Sequence, residues 1–240
     1  MPLPTLVTPR YEIELPSTGE TLIVRPFLVK EEKLLTIALA SEDTKQMAMA
    51  IKEVLQNCVI SKGVKVETLP TFDIEYVFLY VRGKSVGEEI EVKILCEDDG
   101  ETEVTVNIDL DDIKVIKSKD HTNKFKIDES VMIEMKYPSL NQFVDNHFMF
   151  SNNKSALEES FDLIADCIGK VFTEEEAWSV EDCSKKELRE FVESMNSDQF
   201  SGIQKFFDTM PKLSHTIKVK NPKTKKINEV VLEGLASFFA

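Results

Sequence analysis

The sequence predicts an α+β fold: antiparallel β-hairpins with packed helices, then a helical C-terminal region closed by a terminal β-hairpin and a short helix. Three observations carry this. Apolar and polar residues alternate on both sides of several turn-forming stretches. Apolar residues recur at three-and-four spacing between those stretches. From Pro138 onward the texture is helical until a last alternating pair returns. The texture suggests two regions, 1–137 with two hairpins and 138–240 mostly helical.

The first hairpin is read from Arg10 to Leu15, a turn at Pro16-Ser17-Thr18-Gly19-Glu20, and Thr21 to Arg25. Pro26 cannot donate to a strand ladder, so the second strand ends there. Lys30 to Ala40 carries Leu34, Leu35, Ile37, Ala38 and Leu39 behind an acidic first turn, which suits a helix. A second helix runs from about Thr44 to Cys58, with Met47, Ala50, Ile51, Val54 and Leu55 on one face. Thr71 serves as N-cap for a third, Phe72 to Arg82, whose Phe72, Tyr76, Phe78 and Tyr80 read as core packing rather than a ligand cage.

Ile90–Cys96 and Thr102–Ile108 alternate around Glu97-Asp98-Asp99-Gly100-Glu101, where Asp-Gly is a strong hairpin signal. A short strand between Phe125 and Lys136 then completes the sheet. Helices are expected near Ser139–Asn146, Lys154–Val171, Ser184–Met195 and Ser197–Met210. Ser184-Lys185-Lys186-Glu187 reads as a capping box and Ser197-Asp198-Gln199-Phe200 as a weaker version. His215–Val219 and Ile227–Leu232 form the last hairpin, before a short helix from Gly234 to Phe239. Leu110-Asp111-Asp112-Ile113 and Leu232-Glu233-Gly234-Leu235 match in pattern, which suggests a reused ending for the two later hairpins.

Charge narrows the function. The 240 residues hold 43 acids against 29 bases, a net charge of −14, so a search for nucleic acid is disfavoured. No stretch is long and apolar enough for a membrane-spanning helix, and the N-terminal residues lack the pattern of a signal peptide. Cys58, Cys96, Cys167 and Cys183 are scattered with no CxxC pair, as free thiols in a reducing cytoplasm would be.

Catalytic and metal chemistry is poorly represented. GxSxG, GxxxxGK[ST], GxGxxG and HExxH are all absent. His121, His147 and His215 lie far apart in polar settings and read as surface residues, although triads are assembled by folds rather than by chain order. Cys96-Glu97-Asp98-Asp99 is a poor zinc set, and Asp109-Leu110-Asp111 lacks the later ligands of a calcium loop. No catalytic residue, metal or cofactor is expected.

Charge is also polarised locally. Residues 97–112 are rich in acids without a base, and residues 212–226 are rich in lysine without an acid. These are either two solvated hairpin tips or complementary docking surfaces. Phe238-Phe239 is either tucked into this chain's core or docked on another.

The run Gly19-Glu20-Thr21-Leu22-Ile23-Val24-Arg25-Pro26-Phe27-Leu28-Val29-Lys30-Glu31-Glu32-Lys33 resembles the N-terminal signature of T4-like bacteriophage baseplate hub subunits and hub assembly proteins. The ending from Glu229 to Phe239 is similar to that family's C-terminus, and the Cys96–Gly100 hairpin loop also fits. The resemblance implies a non-enzymatic role in building the baseplate hub, in the cytoplasm of the infected bacterium and in the virion tail. Its partners would be other hub or tail proteins, with the tape measure protein among the candidates; self-association stays open. A transient chaperone of the tape measure protein is the alternative, and a hub-associated hydrolase a more distant one. Some relatives carry cysteine pairs in the two later hairpin loops. Here only Cys96 stands in one and Asn221-Pro222-Lys223-Thr224 fills the other, so turn chemistry has to hold both. Candidate partner-binding residues are Arg25, Pro26, Phe27, Lys30, Glu31, Glu32, Leu235, Phe238 and Phe239. The same signature also reads as a strand-to-helix junction.

Overall fold

The structure is a computed structural model that describes residues 6–41, 43–140, 142 and 156–238. It is α+β, with helices and strands in small antiparallel sheets. The chain forms two compact units, one from residues up to Val66, Phe72–Ile116 and Lys212 onward, the other from Glu67–Thr71 and Lys117–Pro211. Whereas the sequence texture suggests contiguous halves, the terminal hairpin belongs to the first unit, because an apolar strand face packs where its complement is, not in chain order.

In the first unit, β1 (Tyr11–Glu14) pairs with β2 (Thr21–Val24) in the register Tyr11↔Val24. Helices α1 (Val29–Ala40), α2 (Thr44–Cys58) and α3 (Thr71–Val86) follow. Thr71 is the first helical residue of α3 rather than a cap outside it. β3 (Glu89–Leu95) and β4 (Glu103–Asp109) pair over seven residues, and β10 (Lys212–Lys220) and β11 (Ile227–Glu233) over another seven. A short strand, β5 (Lys114–Ile116), pairs with the start of β10.

Period-two burial gives these hairpins one apolar face each. Ile90, Val92, Ile94 and Ile108 share a cluster with Ile217, Val219 and Leu232, closed by Leu79 of α3. Each hairpin ends in a single 3-10 turn, at Leu110–Asp112 and Leu235–Phe238. The device is thus reused, but the matched letters are offset: Leu110 opens its turn, whereas Leu232 is still in the strand.

The second unit departs from expectation. The Phe125–Lys136 stretch is two strands, β6 (Lys124–Lys126) and β7 (Met132–Met135), and it does not complete the first sheet. It joins β8 (Ile168–Phe172) and β9 (Ala177–Ser179) in a separate four-stranded sheet, ordered β6-β7-β8-β9. The helix expected to reach Val171 therefore stops early, as α4 (Ala156–Asp166). Gly169 explains the switch. A Cβ there would lie 3.0 Å from the Glu134 carbonyl oxygen, beside a register shift in β7, a tight contact that glycine spares the two strands. Most of the helix expected near Ser139–Asn146 lies outside the described residues.

Helix α5 (Lys185–Glu193) has the expected capping box, with Ser184 N–H donating to Glu187 at 2.8 Å and Glu187 N–H to the Ser184 hydroxyl at 3.3 Å. On α6 (Ser197–Thr209) the box sits one residue earlier than read: Asn196 caps and Gln199 answers, both bonds 2.9 Å. Ile133, Ile168, Leu188, Val192, Ile203 and Phe206 form the core between this sheet and its helices.

Asp73 of α3 is fully buried and accepts the Ser17 backbone N–H at 3.0 Å together with the Ser17 hydroxyl, pinning the β1–β2 turn. Burial raises its pKa above the ordinary carboxylate value, and the two Ser17 bonds offset only part of that. A raised carboxyl pKa contributes most below the unfolded value and loses that contribution as pH rises through the folded one. Asp73→Asn, which keeps an acceptor without the charge, is therefore expected to be as stable as the parent or more so at neutral pH, the difference narrowing below about pH 4. Asp73→Ala should cost about 1–3 kcal/mol by stranding the Ser17 donors. Thermal melts by calorimetry at two pH values check both.

Candidate functional site

The signature residues divide into an inward set and an outward set. Glu31 is 2% exposed and its carboxylate is fully engaged. It receives the Arg25 guanidinium at 3.0 Å, the Leu28 backbone N–H at 2.7 Å and Lys30 Nζ at 3.3 Å. Because Leu28 has no side-chain acceptor, this carboxylate alone supplies the side-chain cap of α1. Burial would raise its pKa, but Arg25, the Leu28 N–H and Lys30 together outweigh it and hold the carboxyl below its ordinary value. Arg25 also donates to the Pro26 carbonyl at 2.8 Å, and its backbone N–H to Cys58 at 2.9 Å. Phe27 N–H donates to the Ser85 hydroxyl at 2.9 Å, with Pro26 and Phe27 half-buried. Arg25, Glu31 and the Phe27 backbone are thus joinery between β2, α1 and α3, while Lys30 and Glu32 face solvent.

The solvent side of α1 carries exposed apolar side chains among polar ones. Val29 is 80% exposed, Ile37 54% and Leu39 52%. At about 100° per residue, Val29 falls opposite buried Glu31 and Ala38, with Ile37 and Leu39 about 80° to either side of it and exposed Glu32, Lys33 and Thr36 between them. The three apolar residues were not singled out from the sequence. The signal was there: α1 is apolar at Val29, Leu34, Leu35, Ile37, Ala38, Leu39 and Ala40, more than one buried stripe can absorb.

The C-terminal candidates lie elsewhere on the first unit. Leu235 is half-buried against the hairpin cluster, and its backbone N–H donates to Glu75 of α3 at 3.0 Å. Gly234, with φ +70°, turns the chain for that contact. Glu75 sits ten residues before Ser85 on the same helix, roughly 15 Å along its axis. The Arg25–Glu32 and Leu235 groups are therefore held near opposite ends of α3 and do not form one patch. Phe238 ends the described backbone, and Phe239 lies outside the described residues.

The charged hairpin tips do meet. Asp98 accepts from Asn221 at 2.8 Å, from Asn228 at 2.9 Å and from the Thr224 hydroxyl, while its own N–H donates to Asn228 at 3.0 Å. Lys223 reaches Glu101 at 3.0 Å. The donors from Thr224, Asn221 and Asn228 lower the Asp98 pKa, and Thr102 with Asn221 hold Asp99 well below the carboxylate range. One acid–lysine pair and the uncharged donors of Asn221, Asn228 and Thr224 thus hold the two tips together.

Among the described residues no three of His, Cys, Asp and Glu are grouped to hold a metal ion. Cys58 is pushed up to about 11 and Cys167 to about 12, both by burial, so neither is a ready nucleophile. His121 is not the surface residue its polar neighbours suggest. It stacks on Tyr137 at 5.6 Å and lies 5.3 Å from the Phe206 ring. Thr209 spends its hydroxyl proton on the Lys205 carbonyl, so His121 Nδ1–H donates to Thr209 at 3.0 Å and Nε2 accepts from Tyr137 at 2.9 Å. Burial, with Lys117 nearby, lowers its pKa and favours that neutral tautomer. His215 is half-buried in β10, and His147 lies outside the described residues.

Residues 8–240 match the family described as T4 bacteriophage base plate protein. The chain belongs to that family. No curated protein and no solved structure matches it. Membership in the baseplate family points to a structural role in a phage tail, among other phage tail proteins. No helix among the described residues is long and apolar enough to cross a membrane.

Two outcomes follow for this baseplate protein. Glu31→Ala should cost about 3 kcal/mol, because it leaves Arg25 facing a buried, uncapped helix start. As the Glu31 pKa is lowered, its contribution is present above the unfolded carboxylate value and should fade as pH falls through the folded one, which denaturant titrations at acidic and neutral pH would register. Asp98→Ala should accelerate amide exchange selectively at residues 96–102 and 221–228, with the β6–β9 sheet unchanged.

Proposed function

We propose that the protein is a subunit or assembly factor of the baseplate hub, working through protein–protein contacts and without catalysis. The family match across residues 8–240 supports the baseplate part of this reading. The observation that carries the interaction part is the exposed Val29, Ile37 and Leu39 on α1. Three large apolar side chains left exposed on the solvent side of one helix forgo burial worth at most about 1.5–3 kcal/mol each, less for half-exposed Ile37 and Leu39, and a partner surface can recover it. Lys30 lies at the edge of these residues, and Glu32, Lys33 and Thr36 stand among them as polar contacts.

The charged hairpin tips are a weaker candidate for docking, since Asp98 and Glu101 already hold the opposing loop. Phage tail proteins, including the tape measure protein, are the partner class to test. The proposed setting is the cytoplasm of the infected bacterium during assembly, and the virion tail thereafter.

The test is affinity capture of the tagged protein from infected cells, with the composition of purified virions measured in parallel. Recovery of hub proteins with the protein present in virions is the expected result. Capture of the tape measure protein with absence from virions would replace the hub-subunit reading by the transient chaperone. Val29→Ser/Ile37→Ser should lower partner recovery several-fold while leaving the melting temperature within about two degrees, because neither side chain is buried. Cell-wall hydrolysis by the purified protein, abolished by an Asp or Glu substitution, would overturn the non-catalytic assignment.

A further inference from the structure

A groove of about 460 Å3 opens on the first unit between the β1–β2 turn, α3 and the Leu110–Val115 stretch. Tyr76 and Tyr80, one helical turn apart, line it together with Leu15 and Pro16, and Glu14 and Asp111 stand at its edge. Both carboxylates are exposed, and neither is held in an ion pair among the described residues. They lie close enough to Tyr76 to add, after burial and Tyr80, to the rise in its pKa. Lys84 is already committed, paired with Glu88 and placed over the Tyr80 and Tyr11 rings at 5.4 and 5.8 Å from their centroids. Setting that pair aside, the rim carries Glu14 and Asp111 against Lys114, one net negative charge with an aromatic floor.

The same chain offers a segment of complementary chemistry. Leu6 is 88% exposed and Val7 95%, whereas Leu15 and Leu22 are at 2% and 1%. Pro9 and Arg10 follow directly, and residues 1–10 hold three prolines and one base with no acid. An extended proline-containing segment surrenders little conformational entropy on docking, and aromatic-lined grooves are the usual receptors for it. A neighbouring carboxylate then fixes its direction through the base.

We propose that the arm Leu6–Arg10 of one copy docks in the Tyr76–Tyr80 groove of a second copy, its Arg10 meeting Glu14 and Asp111. The arm does not reach the groove of its own chain. It enters β1 at Tyr11, which packs edge-on against Tyr80 at 6.5 Å, so return to that groove needs a reversal between Thr8 and Arg10. Residues 6–10 make no such turn in the structure. Each copy carries one arm and one groove, so reciprocal exchange closes a two-fold dimer. This assignment is independent of which baseplate protein the α1 face contacts, and it is tested on the purified chain alone.

Sedimentation velocity over a range of concentrations reads the dimer directly. Deleting residues 2–9 should abolish it. Arg10→Glu and Glu14→Lys/Asp111→Lys should each weaken it by about tenfold or more, all three side chains being exposed and away from the core. The triple variant, with both sides reversed, should recover it. A peptide of residues 1–12 should bind the arm-deleted protein by fluorescence anisotropy and bind its groove-reversed form at least about tenfold more weakly. A full-length chain that stays monomeric, or a dimer indifferent to the arm deletion, would overturn the proposal. A monomer whose arm-deleted form still captures the peptide would place the arm in its own groove and equally reject the second copy.

Discussion

The first unit depends on one carboxylate. Asp98 joins two hairpins whose bonded residues are 123 positions apart in the chain, and with 117–211 assigned to the other unit nothing local brings them together. The apolar cluster between the hairpins supplies most of the attraction, but burial is non-directional and tolerates sliding of one strand pair over another. Asp98 removes that freedom: two amides and a hydroxyl converge on its oxygens while its backbone donates in return. Asn221 and Asn228, at 0% and 7% exposed, would otherwise be costly buried amides. The clasp satisfies them and the apolar faces are held in one register.

The two loops that meet there are built alike. In each, the fifth residue donates its N–H to the carbonyl of the first at 2.9 Å, Gly100 to Cys96 and Lys225 to Asn221. The fifth residue has φ +65° in both. Glycine takes that conformation freely, whereas Lys225 bears a strain of about 1 kcal/mol, which the surrounding bonds of Asn221 to Lys223 and Thr224 hold in place. Turn chemistry thus carries both loops.

How much was legible follows from which signals are local. Alternation around Asp99-Gly100 located the middle hairpin, and Ser184 with Glu187 located a helix start, because strand pleat and capping act within a few residues. The clasp was invisible: acids in one loop and lysines in the other marked a polarity, but the bonds run mostly through Asn221, Asn228 and Thr224, which carry no charge. The strand at Ile168–Phe172 was lost in a helical reading that ran through Gly169, whose reason is a neighbouring carbonyl supplied by β7. His121 looked like a surface residue because its sequence neighbours are polar. Its partners Tyr137, Phe206 and Thr209 come from up to 88 residues away.

The signature that identified the family therefore works mainly inward. Arg25 and Glu31 are invested in each other and in the start of α1, so a partner could engage them only by dismantling the junction. That division has a physical advantage. Val29, Ile37 and Leu39, largely exposed, contribute less to the core, so they can change with less cost to the fold. The Arg25–Glu31 pair, in contrast, fixes the pitch at which α1 leaves the strand and hence the direction in which those side chains point. The motif thus fixes how α1 is presented rather than what its exposed side chains would meet.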